Sequence, residues 1–124
     1  MKSLAVLRLV AVLHAVAICV QPIVIGIYLN GATTGLKIHG PVGTALAFVG
    51  LGQLIVAIVY WRCGGRLLAP VIALLILSAE AVQIAMGYTK QLAIHIPLGV
   101  ALIGSTICFA AWICRRVARV EVAA

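Results

Sequence analysis

Four long apolar stretches, joined by short polar ones, make up most of this chain. They run about Leu4–Leu29, Pro41–Trp61, Leu67–Tyr88 and Leu92–Cys114. A helix rises about 1.5 Å per residue, so each stretch is long enough to cross about 30 Å of hydrocarbon. In lipid every backbone N–H and C=O must find its partner inside the protein, which for segments of this length means helices. The linkers Asn30–Gly40, Arg62–Arg66 and Thr89–Gln91 are short, and short linkers return each helix antiparallel beside the last. The expected fold is all-α: an integral-membrane, up-down four-helix bundle that forms a single domain over residues 1–124.

Composition agrees. Hydrophobic residues are 65% of the chain and charged ones 9%, a balance that excludes both a soluble enzyme and a disordered segment. Asp is absent, and Glu80 and Glu121 are the two acidic residues. The net charge of +7 comes from short Lys/Arg clusters between apolar runs, a topology signal rather than a nucleic-acid surface. Lys2, Arg8, Arg62, Arg66, Arg115, Arg116 and Arg119 fall on one side, against Lys37 and Lys90 on the other. By the positive-inside rule both termini are cytoplasmic and the protein sits in the plasma (inner) membrane. Trp61, Trp112 and Tyr60 then mark the inner interface, Tyr28 and Tyr88 the outer one. Lys2, the apolar stretch after it and Ala15-Val16-Ala17 have the look of a secretory signal. Ile18 before Cys19 is too large for a lipoprotein cleavage position, and we read this stretch as the first span.

The cysteines say little. Cys19 and Cys108 lie within spans, and Cys63 and Cys114 fall at the inner face, where thiols stay reduced. No pair is spaced C-x-x-C, and no C-x-x-C-H is present for covalent haem attachment.

An internal repeat is more informative. Leu36-Lys37-Ile38-His39-Gly40-Pro41-Val42-Gly43-Thr44-Ala45-Leu46 aligns with Leu92-Ala93-Ile94-His95-Ile96-Pro97-Leu98-Gly99-Val100-Ala101-Leu102, with 7 of 11 positions identical. The preceding spans echo each other more weakly: Val20-Gln21 leads to Gly26 and Tyr28, and Val82-Gln83 to Gly87 and Tyr88. The chain therefore reads as a helical hairpin duplicated head to tail, with halves of about 1–62 and 63–124. Repeats in membrane proteins place functional sites where the copies meet.

His39 and His95 hold the same place in each copy. The second and fourth spans are parallel, so both imidazoles lie at one depth, near the outer interface, and face each other across the interior. That is the geometry for ligating one haem iron from both sides. Gly43 and Gly99 each follow their histidine by four residues and share its helix face, which leaves a flat slot for a macrocycle; Gly50 continues that face. Close helix–helix packing is the other use of such glycines. Pro41 and Pro97 fix the entry angle of each histidine. Either the helix starts at the proline, leaving the histidine on a turn, or it starts earlier and bends there.

The order glutamine, glycine, short outer loop, then histidine resembles haem A synthase. That family resembles two fused four-helix bundles, each holding a haem between histidines of its second and fourth helices. This chain looks like one such half, with Gln21 to Gly43 and Gln83 to Gly99 as the matching stretches and His39 and His95 as the matching ligands. The family's acidic residue beside a histidine and its outer-loop cysteine pair have no counterpart here. The resemblance therefore implies haem holding or electron transfer, not oxidation of a haem methyl.

Other polar residues lie within the spans. His14 has no equivalent in the third span, where Ile76 takes its place. Glu80 is mid-span, where a carboxylate costs about 2.5–3.5 kcal/mol on insertion scales. It must be protonated, paired with His14 or Gln21, or in contact with another subunit; a proton-relay role is among its readings. Gln21 and Gln83 bond each other as interhelical glue or touch the cofactor, and Lys37 and Lys90 either pair with haem propionates or snorkel to the interface.

The leading expectation is a membrane-bound b-type cytochrome with haem b between His39 and His95, passing single electrons to or from quinone or a redox partner protein. A cofactor-free accessory or assembly subunit of a larger membrane complex, or a homo-oligomer, is the alternative. A small multidrug exporter is disfavoured because the first span has no acidic residue, and copper or zinc remains a competing occupant of the histidines. No nucleophile–base pair, carboxylate pair or phosphate-binding loop suggests an enzyme.

Overall fold

The computed structural model describes residues 2–115; Arg116, Arg119 and Glu121 lie outside the described residues. Five helical segments form: α1 Lys2–Ile18, α2 Val20–Leu29, α3 Thr34–Arg62, α4 Leu68–Tyr88 and α5 Leu92–Arg115. There is no strand among the described residues. α1 and α2 make one continuous stretch, so four stretches are long and apolar enough to cross a membrane: Lys2–Leu29, Thr34–Arg62, Leu68–Tyr88 and Leu92–Arg115. This is a multi-pass, all-helical membrane protein.

Two expected boundaries change. The first span is divided at Cys19, because the Pro22 ring has no N–H for the Ile18 carbonyl and crowds it. The second span does not begin at Pro41. α3 starts at Thr34 and carries Pro41 inside it, as α5 carries Pro97. Both histidines are therefore helical, and of the two readings of the prolines the one in which the helix starts earlier is the correct one. The connection before α3 shrinks from Asn30–Gly40 to Asn30–Thr33.

Three helix ends close in the same way. After α2, Ala32 N–H reaches Ile27 C=O at 3.2 Å and Gly31 N–H reaches Tyr28 C=O at 2.9 Å. After α3, Gly65 N–H meets Tyr60 C=O and Gly64 N–H meets Trp61 C=O, both at 3.0 Å. After α4, Gln91 N–H meets Met86 C=O at 2.9 Å and Lys90 N–H meets Gly87 C=O at 3.2 Å. These are Schellman closures, which satisfy the last carbonyls and need a left-handed residue. Gly31 (φ +97°) and Gly64 (φ +90°) supply it without strain, whereas Lys90 (φ 59°) adopts it with a side chain.

The long helices form a ring in which α1 packs on α3 and α5, and α4 packs on the same two; α2 lies along α3. At the α2–α3 crossing the backbones nearly touch, since a Cβ on Gly35 would stand 2.5 Å from both Val24 O and Tyr28 N. The interior is rich in alanine (Ala11, Ala15, Ala57, Ala69, Ala73 and Ala110), with Leu7, Ile76, Phe109 and Ile113 filling between. Small residues let helices approach closely where lipid gives them no hydrophobic reason to associate. Leu9, Ile23, Phe48, Leu75 and Val100 lie on the outside, exposed by 60% or more, a surface suited to hydrocarbon. Arg8 Nε donates to Ile113 C=O at 3.3 Å, so a cation meets the negative end of α5.

Candidate functional site

α3 and α5 face each other across the ring without an extensive packed surface, and the diagonal between them is bridged by His39 and His95. Their ring centroids are 6.1 Å apart and their planes are inclined by 70°. Both rings are partly buried.

Each histidine is held by a glutamine of the helix that precedes its own: Gln21 of α2 for His39 of α3, and Gln83 of α4 for His95 of α5. His95 Nδ1–H donates to the Gln83 main-chain carbonyl at 2.9 Å. That bond fixes the tautomer and leaves Nε2 unprotonated, where it accepts from the Gln83 amide N–H at 3.4 Å. With its amide turned to suit its neighbours, Gln21 donates to His39 Nδ1 at 2.6 Å and to His39 C=O at 3.3 Å, and accepts from Gly43 N–H at 2.7 Å. Gln21 and Gln83 thus orient the imidazoles and make no bond to each other.

Gly99 has a use that the sequence did not reveal. A Cβ on Gly99 would meet the Gln83 amide nitrogen at 2.8 Å, and one on Gly43 the end of the Gln21 side-chain amide at 3.5 Å. Gly99 makes room for the glutamine that holds His95, whereas a side chain on Gly43 would meet Gln21 only in ordinary contact. Gly87, which the sequence offered only as an echo of Gly26, carries the His95 ring against its backbone, with Cε1 2.9 Å from where a Cβ would be. Lys37 and Lys90 are exposed at the same end of the bundle. Two surface hollows, about 490 Å³ between α1 and α5 and about 280 Å³ between α4 and α5, are lined mostly by apolar side chains and by no histidine.

A second polar contact crosses the other diagonal, from α1 to α4. His14 Nε2 lies 2.6 Å from Glu80 Oε1, and His14 Nδ1–H donates to Gln53 Oε1 of α3 at 3.3 Å. His14, Gln53 and Glu80 are 0%, 1% and 4% exposed, so the group is sealed from lipid and water. Of the partners weighed for Glu80, the structure selects His14. It also corrects the role of Gly50: the Glu80 Oε2 atom fills the space that a Gly50 side chain would need. Gln53 was overlooked; an amide in the middle of an apolar span is the signal that points to it.

All four cysteines are free, and no group of three or more His, Cys, Asp or Glu among the described residues is placed to hold a metal ion. No protein-family model, characterised protein or solved structure matches the chain, so its function must be argued from these contacts.

Proposed function

We propose that the protein is a membrane haem carrier of the b type, with one haem b held between His39 and His95 and single-electron transfer as its use. The observation that supports this most is the spacing of the two rings. A ligating imidazole nitrogen stands about 2.0–2.1 Å from a first-row metal and the ring centroid roughly 1.2 Å behind it, so two opposed ligands have centroids about 6.4 Å apart. The 6.1 Å between His39 and His95 is close to that figure. The donor set points the same way. A tetrahedral metal site wants four protein ligands, whereas a porphyrin supplies four of its own and asks the protein for two neutral imidazoles.

The chain's own residues prepare those ligands. His95 presents an unprotonated Nε2 because its proton is held on Nδ1 by the Gln83 carbonyl, the outer-shell arrangement that metal-binding histidines use. At His39 the Gln21 amide donates to Nδ1, which puts the ring proton on Nε2, so ligation through Nε2 requires that proton to move to Nδ1 and the Gln21 amide to turn. Lys37 and Lys90 are the cations nearest in sequence to the ligands and suit the propionates. When bound, haem supplies a one-electron couple that no side chain here provides. The likeness to one half of a haem A synthase bundle, the duplicated hairpin, cytoplasmic termini and residence in the plasma membrane all belong to this same reading, with quinone or a redox protein as electron partner.

A reduced-minus-oxidised absorbance spectrum of purified protein is the test. The expected result is an α-band that disappears in His39→Ala and in His95→Ala. Protein expressed with ample haem but lacking the band would refute the reading and favour a cofactor-free subunit of a larger complex. Copper or zinc in elemental analysis, lost in the same variants, would replace haem by a bare ion.

A further inference from the structure

We infer that His14, Glu80 and Gln53 form a proton-binding site in the middle of the bundle, loaded in step with the charge at the His39–His95 pair. The coupling rests on the haem reading; the proton site rests on its own geometry.

Gln53 Oε1 can only accept, so one ring proton of His14 is fixed on Nδ1. A single proton then remains between His14 Nε2 and Glu80 Oε1, 2.6 Å apart. Wherever it sits, on oxygen or on nitrogen, the pair is neutral. Removing it leaves one negative charge, and adding another leaves one positive charge, in a place sealed from solvent.

A purely structural cluster would satisfy all of its polar atoms, because an unpaired buried group is costly. This one does not. Glu80 Oε2 and Gln53 Nε2 are buried with no partner in the protein. An acceptor and a donor left over beside the same imidazole are what an internal water needs, and such a water is the means by which a sealed carboxyl exchanges its proton. Gly50 provides the space into which Oε2 is turned.

No other titratable group is bonded to the cluster among the described residues. Arg8 of α1 turns to Ile113 C=O of α5. Cys19 follows α1, Tyr60 and His39 lie towards opposite ends of α3, and Tyr88 ends α4. On α5, His95 is bonded to Gln83. Cys108 and Cys114 are exposed, and Arg115 ends the helix.

The link to the histidine pair runs along α4. Glu80 and Gln83 are less than one turn apart, about 4.5 Å of rise, and Gln83 binds His95. One electron entering at the His39–His95 site adds a negative charge inside a low-dielectric bundle. One proton taken from water by His14–Glu80 cancels it, and on reoxidation both leave. The electron comes from an external one-electron donor, dithionite in the assay.

The test is a redox titration against pH of the haem-loaded protein, wild type beside Glu80→Gln. The wild-type midpoint should fall as pH rises, by up to about 59 mV for each tenfold drop in proton concentration. Glu80→Gln should bind haem and lose the slope. Infrared difference spectra give a second readout. Because Glu80 and Glu121 are the chain's only acidic side chains, ¹³C-glutamate labelling picks out a carboxyl band that should change on reduction and be absent from Glu80→Gln. Should that variant not fold, the wild-type slope and labelled band decide alone. A flat midpoint with no label-sensitive band, or an unchanged slope in Glu80→Gln, would overturn the proposal while leaving the haem reading intact. If no haem binds, the functional reading and the coupling both fall; a labelled band that then stays constant between about pH 5 and 8 overturns the proton site as well.

Discussion

Gly87→Ala is the smallest change that should loosen the histidine pair. The added methyl would lie 2.9 Å from His95 Cε1 and 3.2 Å from Nδ1. Carbon atoms rest about 3.5–4.0 Å apart, so the ring must retreat by about 0.6–1.1 Å. The Gly87 backbone cannot yield instead, because Lys90 N–H is bonded to its carbonyl in the closure of α4. A retreat of that size stretches the 2.9 Å bond from His95 Nδ1 to Gln83 C=O out of hydrogen-bonding range. Losing an outer-shell partner of a metal-binding histidine costs about 10–100-fold in affinity, or about 1.4–2.7 kcal/mol. Folding should suffer far less, since alanine is favoured over glycine in a helix by about 1 kcal/mol. The assay is haem titration of the detergent-solubilised protein by absorbance, with thermal unfolding of the haem-free form in parallel. Gly104→Ala is the control, because nothing lies within 4 Å of its Cβ position. Wild-type affinity in Gly87→Ala, or an equal loss in Gly104→Ala, would refute the argument that this glycine seats the ring.

Two further outcomes follow from the packing. His14→Leu should lower the unfolding midpoint sharply, by about 3–5 kcal/mol of stability, because it strands the Glu80 carboxyl, and His14→Leu/Glu80→Leu should recover most of that loss; a double variant as unstable as the single one would contradict the pairing. Gly35→Ala should destabilise by about 1–3 kcal/mol or more, since the atoms 2.5 Å away are Val24 and Tyr28 backbone and cannot rotate aside; unchanged thermal unfolding would mean that α2 and α3 do not cross this closely.

By itself the sequence determined the number, place and helical nature of the spans, because hydrocarbon admits few forms of backbone and about 20 apolar residues suffice to recognise one. It also located His39 and His95, through a repeated motif rather than through any property of an isolated histidine. What it left open was which side of each helix faces inward. In a soluble helix the apolar stripe answers that, but here lipid and interior are both apolar and the period carries almost no contrast. Only the tertiary structure decided that Pro41 and Pro97 lie within helices, that Gly99 accommodates Gln83, and that Glu80 meets His14 rather than Gln21 or a neighbouring subunit. Each of those outcomes depends on the rotation of one helix against another, which is set by the fit of small residues such as Gly35, Gly50 and the interior alanines, summed over the whole ring of helices.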